Sequence, residues 1–111
     1  VWETYEVYLK FDSVSTEDGG MALVRCWKNG SLIGEFPDRI TLKTDGTLAT
    51  AAYIFTYWNG SAPKDQELWI DDIVLTTNTP SNIDQSGNNF IGMENISRPE
   101  PPSNILILDG A

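Results

Sequence analysis

The sequence predicts an all-β chain of antiparallel strands, and three observations carry that reading. Residues 1–11, VWETYEVYLKF, alternate with a period of two in β-favouring residues. Asn29-Gly30 sits between two apolar runs, a dipeptide whose tolerance of positive φ makes it a strong hairpin signal. Helical spacing is not sustained at any point in the chain.

The elements follow in order. In the first strand Tyr5, Val7, Leu9 and Phe11 share one face, while Thr4, Glu6, Tyr8 and Lys10 share the other, which predicts a half-buried strand. SVSTEDGG at 13–20 is polar, acidic and glycine-terminated, and reads as a loop. MALVRCWKNGSLIGEF is the hairpin around Asn29-Gly30, and Asp45-Gly46 marks a further turn. Residues 53–58, YIFTYW, are β-branched and aromatic and short enough for a strand; after the loop GSAPKDQE, LWIDDIVLTT reads as another. From Asn78 the composition shifts to Pro, Ser, Asn and Gly. The expected division is therefore a compact part over 1–77 and a surface tail or linker over 78–111, ending in the apolar ILIL at 105–108.

Composition narrows the function classes. The chain has 111 residues, 41% hydrophobic and 21% charged, which suits one small folded domain. Its formal net charge of −9 argues against nucleic acid, because phosphate binding needs clustered lysine and arginine. No histidine occurs, which removes Ser-His-Asp and Cys-His hydrolases and histidine-ligated metals. Cys26 is the one cysteine, so no intrachain disulfide forms, and it reads as a small buried hydrophobe. No run approaches the ~20 apolar residues of a membrane helix. The chain opens at Val1 inside a strand-like pattern, with no visible signal peptide, and is expected to be a piece of something longer.

YEVYLKF at 5–11, RCWKNGSLIG at 25–34, YIFTYWNG at 53–60 and ELWIDDIVL at 67–75 stand in an order that resembles the C-terminal half of a concanavalin A-like jelly-roll domain. The similarity is nearest to the polysaccharide lyase-like group and spans about residues 1–77. It implies an antiparallel β-sandwich, a partial jelly roll, with glycan as the ligand class. The family's domain is roughly twice this length, so the resemblance also implies that the sheets are completed by a missing upstream half, a partner chain or a swapped copy.

Candidate site residues come partly from the residues themselves. Tyr53, Phe55 and Tyr57 share one face and Ile54, Thr56 and Trp58 the other; such aromatics suit either a core or a groove in which Tyr53 and Tyr57, with Trp58 beside Asn59, meet an extended polysaccharide. Arg25 and Trp27 share a face, and an exposed cation beside an aromatic suits an acidic sugar; a structural cation–π pair is the plainer alternative. The resemblance adds a structural Ca2+ held by Asp72, with Asp71 second, since calcium takes hard oxygen ligands. A glycosidase pair is not expected: the E-x-D-x-x-E pattern is missing, and a strand through Asp71-Asp72 would split the two carboxylates between faces. No catalytic residue is assigned. Asn29-Gly-Ser31, Asn59-Gly-Ser61 and Asn95-Ile-Ser97 match the glycosylation acceptor pattern, but two of the three are already accounted for as Asn-Gly turns.

These readings converge on a carbohydrate-binding, lectin-like module working outside the cell or on a cell or virion surface. The alternatives are the C-terminal half of a lyase acting on uronic-acid polymers and a structural subunit of a virion or filament. Nucleic acid and membrane are not expected partners.

Overall fold

The computed structural model describes residues 2–44, 46, 51–52 and 60–93. Its strands are β1 (Tyr5–Lys10), β2 (Leu23–Lys28), β3 (Ser31–Phe36), β4 (Asn82–Ile83) and β5 (Asn89–Phe90). They form an antiparallel three-stranded sheet in the order β1-β2-β3 and a separate β4-β5 hairpin. No helix occurs among the described residues, so the chain is all-β there.

The β2-β3 hairpin closes as the sequence predicts. Asn29 (φ 49) and Gly30 (φ 82) are both left-handed, the pairing that lets a two-residue turn match the twist of its strands. Asn29 also ties the turn to the chain entering β1: its N–H donates to the Thr4 carbonyl at 2.8 Å, and its Oδ1 accepts from Thr4 N at 2.9 Å.

The loop between β1 and β2 is held by its own polar groups. Asp12 accepts from Ser13 N and Met21 N, both at 2.8 Å, and these backbone donors, Met21 first, hold its carboxyl below the usual range. Ser15 is 1% exposed; its hydroxyl bonds Asp18 Oδ2, and its carbonyl accepts from Gly20 N at 2.8 Å. A side chain at Gly20 would overlap the Val14 carbonyl, so this close approach demands glycine. Thr41 fastens the chain after β3 to the loop, donating to Lys10 O and accepting from Asp12 N.

A β-bulge decides which residues of β3 meet which of β2. The register shifts between Cys26 and Trp27, so Trp27 pairs with Leu32 but Cys26 pairs with Gly34, leaving Ile33 as the extra residue. Continuing the Trp27–Leu32 register without a bulge would set Arg25 against Gly34. With it, Arg25 pairs with Glu35 and Val24 with Phe36.

Two findings differ from the sequence expectations. The first concerns the face of β1 that is shielded. Tyr5, Val7 and Leu9 are 63%, 59% and 46% exposed, whereas Glu6, Tyr8, Arg25 and Trp27 lie on the covered side. The cover is the β4-β5 hairpin, which arises within the stretch expected to be a surface tail. Asn82 Nδ2 donates to Ile91 O at 2.6 Å, and Glu6 reaches across to accept from Ile91 N at 2.6 Å and Gly92 N at 3.0 Å. Those charge-assisted bonds to consecutive backbone N–H groups pin the hairpin to β1.

The second difference is that residues 67–77 are not strand in this structure. Asp72 adopts φ 52, which interrupts extended backbone, and its N–H is satisfied by the Asp71 Oδ1 at 2.8 Å. Aspartate tolerates the left-handed region better than most residues because its short side chain can bond locally.

Candidate functional site

The covered side of the sheet has a closed half and an open half, and Trp27 and Arg25 fall on different ones. Trp27 is 1% exposed. Its indole Nε1 donates to Asp84 Oδ2 at 2.9 Å, and its ring lies 5.7 Å from that of Phe90 at a tilt of 36°. Asp84 organises the turn between β4 and β5, accepting from Ser86 N, Asn88 N and Asn88 Nδ2. Partial burial alone would raise its carboxyl; donation from the Trp27 indole, the Asn88 backbone and amide, and Ser86 N outweighs this and brings it from 3.8 to about 2. Trp27 and Asp84 thus form a closed structural joint. The exposed cation–tryptophan pair expected at Arg25 and Trp27 does not form, because the β4-β5 hairpin takes the indole into the core.

Arg25 meets other partners. Its Nε donates to Glu35 Oε2 at 2.7 Å, and its Cζ lies 5.4 Å from the Tyr8 ring centroid. Both neighbours follow from register: Tyr8 is its partner on β1 and Glu35 its partner across the bulge on β3. The side chains of Arg25 and Glu35 are 22% and 43% exposed, so the pair is open to solvent while the guanidinium is fixed from two sides. The arrangement offers N–H donors on β2 beside a carboxylate acceptor on the neighbouring β3, a pairing that suits polar ligands with adjacent hydroxyls.

Sequence reasoning found Arg25 but missed Tyr8 and Glu35 as its companions. Tyr8 was legible as a β1 residue, and its place opposite Arg25 needs only the strand register. Glu35 was not, since the bulge that turns it toward Arg25 leaves no mark in the residue pattern. Tyr53, Tyr57 and Trp58 lie outside the described residues.

On the sheet's other face Lys28 sits 5.9 Å from the Tyr5 ring and 3.7 Å from Glu3, which also accepts from the Tyr5 hydroxyl. That hydroxyl and the Lys28 charge hold the Glu3 carboxyl low, and the same bond pushes the Tyr5 phenol up. This cluster is satisfied internally.

For calcium, Asp71 and Asp72 supply neighbouring carboxylates, one of which already accepts a backbone N–H. No group of three or more acidic, cysteine or histidine side chains able to hold a metal occurs among the described residues. Because Asp72 leaves the extended region, strand alternation does not separate the two carboxylates in the way expected from the sequence. No described helix is long and apolar enough to cross a membrane. No family model, no curated protein and no solved structure matches the chain.

Proposed function

We propose that this chain is a carbohydrate-binding, lectin-like module of partial jelly-roll type, recognising a polysaccharide through Arg25 with Tyr8 and Glu35 beside it. The observation that carries the reading is the solvent-open Arg25–Glu35 pair braced on Tyr8. Sugar hydroxyls both donate and accept, so a fixed guanidinium–carboxylate pair can engage two of them at once. In this reading Tyr53, Tyr57 and Trp58 supply the stacking surface. Asp72 and Asp71 are reserved for a structural Ca2+ completed from elsewhere. The second layer of the sandwich comes from an upstream segment, a partner chain or a swapped copy. The setting is extracellular or at a cell or virion surface.

The test is retention of the chain on immobilised neutral and acidic polysaccharides, beside Arg25→Ala and Glu35→Ala. Retention on at least one polymer, weakened about tenfold or more by either substitution, is expected, since losing a charge-assisted bond costs roughly 1.5–3 kcal/mol. Absence of retention on every polymer removes the proposal.

A further inference from the structure

We infer that the Arg25 site selects neutral polysaccharides and discriminates against uronic-acid polymers, an inference that rests on the carbohydrate reading above. An arginine on a sheet face invites the opposite conclusion, that it captures a sugar carboxylate. The geometry around it argues otherwise.

Glu35 already occupies that role. Its Oε2 accepts from Arg25 Nε at 2.7 Å, and the pairing is imposed by backbone register rather than chance side-chain contact, because the Ile33 bulge sets Glu35 directly opposite Arg25. A uronate approaching the guanidinium meets the attraction of Arg25 and the repulsion of Glu35 from nearly the same distance, and the two largely cancel. It would also have to displace a carboxylate tethered to the neighbouring strand, which competes at high effective concentration. The other side of the guanidinium is held against Tyr8, with Cζ 5.4 Å from the ring centroid. The wider field adds to this, since the formal net charge of −9 disfavours the approach of a polyanion.

A neutral sugar faces none of these penalties. One hydroxyl can accept from the guanidinium while its neighbour donates to a Glu35 oxygen, so vicinal diols match the donor–acceptor pair as it stands. Glu35 is thus the residue that determines specificity: it turns a cationic site into a dipolar one.

The experiment is affinity electrophoresis of the full chain and Glu35→Gln through gels containing laminarin, xyloglucan or galactomannan, compared with alginate and polygalacturonate. The expected result for the native chain is retardation by a neutral polymer, unchanged between 50 and about 300 mM NaCl, and at least tenfold weaker retardation by either uronate. Glu35→Gln keeps an acceptor for hydroxyls and removes the charge, so uronate retardation should rise severalfold and become salt-sensitive. Stronger retardation of the native chain by a uronate than by any neutral polymer overturns this inference and leaves carbohydrate binding standing. No retardation in any gel overturns both. Because the native chain alone decides between these outcomes, the test survives a Glu35→Gln variant that folds poorly.

Discussion

The Trp27 indole Nε1 donates to Asp84 Oδ2 at 2.9 Å, joining the middle of the three-stranded sheet to a turn 57 residues further along the chain. With Phe90 against the ring and Glu6 holding Ile91 and Gly92, this joint is what fastens the β4-β5 hairpin to the sheet. Trp27→Ala should therefore lower stability by about 3–5 kcal/mol, the range for emptying a buried aromatic site. Trp27→Phe should cost less, because it keeps a ring against Phe90 and loses the N–H. Urea midpoints of the three chains check the order. Equal midpoints for native and Trp27→Ala would show that the hairpin does not rest on the indole.

Asp84 makes the same joint sensitive to acid. Its carboxyl titrates at about 2 in the fold against an ordinary 3.8, so the folded state favours the charged form. For a depressed carboxylate the contribution is fully present above the unfolded value and is lost as pH falls toward the folded one. The melting temperature should hold between pH 7 and 5, then fall between about pH 4 and 2. Asp12 and Glu3, also held low, act in the same direction. Asp84→Asn should flatten this acid limb while lowering stability at pH 7; an unchanged limb would place the acid sensitivity elsewhere.

Turn chemistry gives a third expectation. Gly30 at φ 82 occupies a conformation that costs an L-residue roughly 1–2 kcal/mol, while a methyl there would make only an ordinary contact with Met93 Sδ at 3.4 Å. Gly20→Ala should be worse, since the added carbon overlaps backbone atoms of Val14 that cannot rotate away. Thermal melts should rank native above Gly30→Ala above Gly20→Ala. The reverse order would mean that the β1-β2 loop relaxes at little cost.

Local signals explain what was legible. The alternation of residues 5–10 and the Asn29-Gly30 turn are properties of neighbours in the chain, and both elements form where they were expected. The β4-β5 hairpin leaves little trace in the residue pattern of the expected tail, because its strands are two residues each and side chains hold it, Asn82 on Ile91 O and Asp84 on the turn. A signal was present nonetheless: Asp84, Ser86, Gly87 and Asn88 are turn formers set between Ile83 and Phe90. The bulge at Ile33 and the burial of Trp27 had no comparable signature, because each depends on contacts between distant segments. The Arg25–Glu35 pair inherits that illegibility: Arg25 could be singled out as unusual, but the partner that defines its chemistry depends on a one-residue register shift.

The exposed row on β1 supplies the last prediction. Tyr5, Val7 and Leu9 form one side of the sheet and remain largely open in the described structure, though the period-two pattern is that of a strand with an apolar face to bury. Stability should register that openness. Val7→Thr and Leu9→Thr, which keep or add β-branching, should shift the folding free energy by no more than about 0.5 kcal/mol, as for other surface changes. They should also reduce the binding of a hydrophobic dye such as ANS, since each removes exposed apolar area. Substitution of a covered Leu or Val would behave differently, costing about 1–3 kcal/mol for the burial it forfeits. Urea midpoints of the two variants, measured at several protein concentrations, distinguish the cases. For the chain alone, small, concentration-independent shifts match a face left open for a layer supplied by an upstream segment or a partner chain, whereas a large, concentration-dependent loss would mean that a second copy of the chain already covers this row.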